Sequence, residues 1–199
     1  CNGDPFNDVL TGEYSYIGEQ VNKVDDWNHF PEQMDVRNFY GGDLQGVRKK
    51  LDYLQSLGVN VLYLNPIFRA YSNHKYDTGS YEEIDPMFGD EETFKKLCRE
   101  AEKSGIRIIL DGVFNHVGRD FTKFVEVRNG NNSYRDWFHI NDGNSCYNDG
   151  FWYEGWEGHY ELVKLNLYNP AVKEYLKEII TGWVKEFDID GLRLDVAYC

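Results

Sequence analysis

The chain has 199 residues, 41% of them hydrophobic and 16% aromatic, enough for a globular domain with a substantial core. Its formal charge of −13 argues against a nucleic-acid partner, whose phosphates it would repel, and no apolar run approaches the roughly 20 residues of a membrane span. Cys1, Cys98, Cys146 and Cys199 are widely spaced, with neither a metal-type pairing nor a disulfide framework.

The opening CNGDPFND supplies Asn2, Asp4, Asn7 and Asp8, four side-chain oxygen donors in one short loop. It lacks the glycine and glutamate spacing of an EF-hand, and Asn, Asp, Gly and Pro are equally the residues of an ordinary turn. No signal peptide is legible there. Residues 43–57 carry Leu44, Val47, Leu51, Leu54 and Leu57 at three- and four-residue spacings before Gly58, which predicts one amphipathic helix. VNVLYLN (59–65) then reads as a buried strand. Asp90 is placed to cap a helix with a Phe94, Leu97, Cys98 and Ala101 stripe, ended by Gly105, and IRIILDGVF (106–114) is the next buried strand. Residues 118–168, rich in Asn, Gly, Asp and aromatics, are too long for a connection and read as an insertion. Its Trp152, Tyr153 and Trp156 suit either sugar platforms or a local core. Asn169 as N-cap with Pro170 starts a helix whose core face is Val172, Leu176, Ile179, Ile180, Trp183 and Phe187. IDGLRLDVA (189–197) is the last strand. The repeated helix-then-strand order implies an α/β fold with parallel strands and right-handed crossovers, and periodicity alone does not separate a barrel from an open sheet.

Chemistry-bearing residues gather after the strands. SNHKYDT follows the first with His74, Tyr76 and Asp77. DGVFNH closes the second with Asp111, Asn115 and His116, LVKLN ends the insertion, and GLRLDVAYC closes the third with Arg193 and Asp195. Residues two apart on a strand share a face, and a guanidinium beside a carboxylate holds it ionised, as a carboxylate nucleophile requires. An isolated RxD would be an ordinary ion pair; the combination is far more specific.

These motifs resemble the α-amylase family, glycoside hydrolase family 13, and within it the neopullulanase, cyclomaltodextrinase and maltogenic amylase group, over essentially the whole chain. The resemblance implies a partial (β/α)8 TIM barrel with about strands 2 to 4 present and an insertion after the third. Residues 1–117 would form the first part of the barrel with a calcium loop, 118–168 the insertion and 169–199 the continuation through strand 4. It implies retaining hydrolysis of α-glucosidic bonds in starch, maltooligosaccharides, pullulan or cyclodextrins, with transglycosylation in some members. Asp195 would be the nucleophile and Arg193 its partner. His116 would donate to a sugar hydroxyl and Tyr76 would stack on the same ring, assisted by His74. Asp111 and Asn115 would support the loop. Ca²⁺ would be held by Asn2, Asp4, Asn7 and Asp8 together with Gly41 and Asp43 of the later GGD.

The family's acid is a Glu after the fifth strand, beyond the three strands read here, so the piece alone is expected to be inactive. Where the group reads GWRLDVANE and MPKLN, this chain has Leu192, Tyr198, Cys199 and LVKLN, which leaves bond preference open. An α-glucosidase, an isomerising relative and a noncatalytic glucan-binding relative remain alternatives. The group's extra N-terminal domain implies a homodimer of the full-length protein, and location stays open between extracellular and cytoplasmic.

Overall fold

The computed structural model describes residues 2–3, 15–16, 19–26, 28 and 36–197. Of the expected calcium donors, Asp4, Asp8 and Asn7 therefore lie outside the described residues, as do Tyr198 and Cys199. The first described strands are short: β1 (Ser15–Tyr16) pairs antiparallel with β2 (Glu19–Gln20), and β3 (Asn22–Lys23) runs parallel to β4 (Asn38–Phe39). The helix expected over 43–57 is divided into α1 (Leu44–Arg48) and α2 (Leu51–Ser56). At the junction the Lys50 N–H donates to the Val47 carbonyl at 2.9 Å, three residues back, and the tightened turn separates the two segments. Leu44 and Leu51 stay buried, whereas Leu57, past the end, is exposed.

Three helix–strand alternations build the sheet. β5 (Val61–Leu64) is followed by α3 (Glu91–Lys103), whose N-cap Asp90 accepts from Thr93 N at 2.7 Å and whose stripe of Phe94, Leu97, Cys98 and Ala101 is buried as its spacing predicts. β6 (Arg107–Gly112) follows directly. Further on, Asn169 caps α5 (Pro170–Phe187) by accepting from Ala171 N at 2.8 Å, and Val172, Leu176, Ile179, Trp183 and Phe187 are buried while Ile180 is only half-buried. The chain then forms β12 (Gly191–Leu194), after the strands of the insertion.

The order is β12–β6–β5, all parallel, with Arg193 opposite Asp111 and Tyr63 opposite Ile109. Central β6 is buried over most of its length. The flanking strands are less covered than an apolar run suggests: Tyr63 is 44% and Leu194 53% exposed. Burial needs a covered face as well as an apolar sequence, and among the described residues each flanking strand pairs on one side only.

The loop between β5 and α3 is tied to this frame. Trp183 Nε1 donates to the Tyr81 carbonyl at 3.0 Å, the Tyr81 hydroxyl donates to the Val113 carbonyl, and Trp183 stacks on Phe68 with ring centres 4.2 Å apart.

Between β6 and α5 lies the insertion: β7 (His116–Gly118), α4 (Thr122–Arg128), a 3-10 turn (Asn132–Trp137), β8 (Ile140–Asn141), β9 (Trp152–Tyr153), β10 (Gly155–Trp156) and β11 (His159–Lys164). β11 pairs antiparallel with both β10 and β7, so the return strand is fixed beside the exit from β6. Phe124, Phe138, Phe151, Tyr153 and Val163 are buried in one cluster continuous with the core of the sheet and helices. Asp149 joins the insertion's far loop to its start: Arg119 donates to both its oxygens at 2.8 and 2.9 Å, Arg128 adds a bond at 3.1 Å, and Arg119 lies 3.8 Å above the Tyr147 ring.

Candidate active site

Asp111 is the penultimate residue of β6, its side chain is fully buried, and four bonds converge on it. Arg193, its register partner on β12, donates from one nitrogen to both carboxylate oxygens at 3.1 and 3.3 Å. Tyr76 donates to Oδ2 at 2.8 Å, and the Tyr63 hydroxyl, from β5, donates to the same oxygen. The same Arg193 nitrogen donates to Asp195 Oδ1 at 2.6 Å. Those two contacts, with Asp195 first, push the guanidinium further above its ordinary range, so it is permanently charged. Asp195 follows β12, its N–H bonded to the Gly112 carbonyl at 3.1 Å, which extends the parallel ladder by one step and sets the two carboxylates on either side of one cation. Burial, then the bond to Asp111 and the neighbouring Tyr63 hydroxyl, keeps Tyr76 protonated far above neutrality.

His116 opens β7 and is buried. Burial drives its pKa down to about 4, against the opposing pull of Asp195, so the ring is neutral near pH 7. Its Nδ1 lies 3.3 Å from Asn115 Nδ2, and its Nε2 has no hydrogen-bond partner among the described residues. Trp156, at the end of β10, sits with its ring centre 5.9 Å from that of His116 and stacks on His159 at 5.7 Å; its buried Nε1 also lacks a partner among the described residues. His74 accepts from Tyr76 N at 3.1 Å through Nδ1, its ring centre 6.0 Å from that of Tyr76, and burial lowers its pKa. The structure thus gathers Asp195, Arg193, His116, Tyr76 and His74 with Asp111 and Asn115 at the carboxyl ends of the strands. Tyr63 belongs with them and was missed. Its signal was a polar hydroxyl near the end of an apolar strand; its register partner Ile109 stands two residues before Asp111. Among the insertion aromatics Tyr153 is core, Trp152 donates from its indole to the Tyr160 hydroxyl at 3.0 Å, and Trp156 alone lies beside the site.

On the described residues the opening loop meets the GGD turn. Gly3 N donates to Asp43 Oδ2 at 2.7 Å, the Asp43 carboxylate also caps α1 by accepting from Gly46 N, and Lys49 Nζ donates to the Gly3 carbonyl at 2.7 Å. A Cβ on Gly3 would stand 2.3 Å from Gly46 N, so only glycine permits this approach. Asn2 is exposed beside it, while Gly41 is buried with φ +73°. Among the described residues no group of three or more His, Cys, Asp or Glu side chains forms a metal site, and no helix is long and apolar enough to cross a membrane.

Fold and site together define an α/β catalytic-type domain with its polar centre at the carboxyl ends of parallel strands, where such folds place ligands. The family profile described as alpha amylase, catalytic domain, matches residues 5–199, and the chain belongs to that family. It is 51% identical over 162 residues to a cyclomaltodextrinase of Geobacillus thermopakistaniensis, covering 80% of this chain and 28% of that protein. It is 48% identical over 200 residues to neopullulanase 2 of Thermoactinomyces vulgaris, covering 99% and 32%. Among solved structures, a cyclic alpha-maltosyl-(1→6)-maltose hydrolase from Arthrobacter globiformis in complex with maltose superposes with a TM-score of 0.81 at 36% identity, covering all of this chain and 42% of that one. The chain therefore spans about a third or less of the curated relatives it matches.

Proposed function

We propose that the chain is part of a retaining glycoside hydrolase of α-glucans, in which the three parallel strands are strands 2 to 4 of a (β/α)8 barrel. The observation that carries this reading is the single Arg193 nitrogen shared between buried Asp111 and Asp195. Asp111 locks the guanidinium in place, and the guanidinium holds the Asp195 carboxylate in position through the 2.6 Å bond to Oδ1. Asp195 attacks the anomeric carbon and forms the glycosyl-enzyme, with a second carboxyl group about 5 Å away protonating the leaving oxygen. No residue of this chain is assigned that second role, so the chain by itself is inactive. Neutral His116 offers Nε2 to a sugar hydroxyl, and Tyr76, held by Asp111 and backed by His74, offers its ring face. Donors of this kind accelerate the reaction only as far as they tighten in the transition state. The relatives' names, cyclomaltodextrinase and neopullulanase, support an α-glucan as substrate. Transglycosylation and a homodimer of the whole protein belong to the same proposal.

The meeting of the opening loop with Asp43 supports a calcium ion there. The donors are oxygens, as a hard cation requires, and Asn2, Asp4, Asn7, Asp8, Gly41 and Asp43 would hold it. The ion would cross-link the loop to the start of α1.

The test is hydrolysis of maltotriose and cyclodextrin by the whole protein. Asp195→Asn should abolish turnover and retain sugar binding; undiminished turnover would remove Asp195 from the mechanism.

A further inference from the structure

Between His74 and Tyr76 stands a lysine with no role in the chemistry just described. The Lys75 side chain is 1% exposed, and its ammonium donates to Asp85 Oδ2 and to the Ala70 carbonyl, both at 2.7 Å. It lies 5.1 Å from the centre of the Phe39 ring and 5.6 Å from that of Phe88. Asp85 is wholly buried and also accepts from Ala70 N at 3.1 Å and Met87 N at 3.0 Å, so the lysine is anchored to a fixed point. Its backbone has φ +64°, the left-handed region that glycine adopts freely and a lysine does not. Lys75 N donates to Ser72 Oγ at 2.9 Å, and that hydroxyl in turn donates to Asp77.

A glycine would supply this φ without a buried charge, but would leave the turn unpinned. A buried ion pair is a poor source of stability compared with apolar packing, so its presence at a left-handed residue calls for a geometric reason. The two neighbours provide it: Tyr76 reaches Asp111 at 2.8 Å, and His74 packs on Tyr76.

We propose that Lys75, through its buried pair with Asp85, is a positioning residue that holds the 72–77 turn in the left-handed form presenting Tyr76 and His74 to the site. This inference rests on the proposed function for its kinetic test and on structure alone for its second test.

The variant to use is Lys75→Met/Asp85→Asn, which removes both charges and leaves no unpaired ion in the core. In the whole protein it should lower kcat/KM for maltotriose about 10- to 100-fold, the scale of a small misplacement of site groups. The same pair of changes in a His74→Ala/Tyr76→Ala background should have little further effect. Equal losses in both backgrounds, wild-type kinetics or failure of the double variant to fold would each overturn the proposal. A crystal structure of the variant supplies the second reading. Tyr76 withdrawn from Asp111 supports the proposal and an unmoved Tyr76 refutes it, even if the wild-type protein hydrolyses no α-glucan and the proposed function itself falls.

Discussion

Asp111 and Arg193 are register partners on adjacent parallel strands, and the guanidinium resting on the Asp111 carboxylate is the one that reaches Asp195. An ammonium is a strongly hydrated point charge on a flexible stem and lacks the rigid planar group that fixes one nitrogen between the two carboxylates. Arg193→Lys should therefore lower kcat/KM of the whole protein about 100-fold, the scale for losing a preorganised donor, while circular dichroism stays unchanged. Retention of full activity would show that charge alone suffices.

Removing the Asp111 carboxylate leaves two tyrosine hydroxyls and a guanidinium without their shared acceptor. Arg193 and Tyr63 are both partly exposed and regain water, so the loss falls short of that for a sealed ion pair. Asp111→Ala should destabilise by about 1–3 kcal/mol in denaturant unfolding, and Tyr63→Phe by less than half as much.

Asp149 gathers two arginines and the Ser145 hydroxyl, and its own side chain is buried. Asp149→Ala would leave Arg119 stacked on Tyr147 without a counter-charge, at a cost of about 3 kcal/mol. Limited proteolysis should then cut first within residues 143–150.

Asp120 is poised for a pH effect. Burial, with the negative charge of Asp77 adding to it, lifts its carboxyl to about 7, and its Oδ2 has no hydrogen-bond partner among the described residues. A Cβ on Gly79 would stand 2.0 Å from that oxygen, so the acid is packed against backbone. The folded state keeps the proton that the unfolded state loses near pH 4, so this contribution to stability is present below pH 4 and disappears as pH rises through 7. Asp120→Asn should remove the loss, and its melting temperature relative to wild type should rise between pH 5 and pH 8. His116 acts with the opposite sign: held neutral with its pKa near 4, it withdraws stability as pH falls below about 6.5, but equally in both proteins.

If a cation cross-links the opening loop to α1, EDTA should lower the melting temperature of the whole protein and added Ca²⁺ should restore it. Gly3→Ala, which forces the loop off Gly46 N, should weaken the response to Ca²⁺. An unchanged melting curve in EDTA would argue that Asp43 serves only as a helix cap.

The sequence made the Asp195–Arg193 pair legible because a spacing of two puts both side chains on one face of a strand. Asn169–Pro170 and Asp90 marked helix starts through cap chemistry that is local and strong. What escaped was contact between distant segments. Tyr63 read as one more residue of an apolar run, and its bond to Asp111 spans 48 residues of chain. Lys75 escaped because nothing local announces an ammonium paired with Asp85. Arg119 and Asp149 stand 30 residues apart in a stretch without periodicity. The break at Lys49–Lys50 left no trace either, since the apolar spacing of Leu44 to Leu54 runs straight across it.

The link from Trp183 through Tyr81 to Val113 ties the long loop after β5 to the last turns of α5 and to the residue that follows β6. A loop fastened in this way shares the rigidity of the scaffold and gives up little conformational freedom when a ligand arrives, so the ordering penalty that weakens binding at mobile loops is small here. Its amides should exchange with solvent on the timescale of the surrounding helices, which makes this long connection part of the preorganised wall of the cleft.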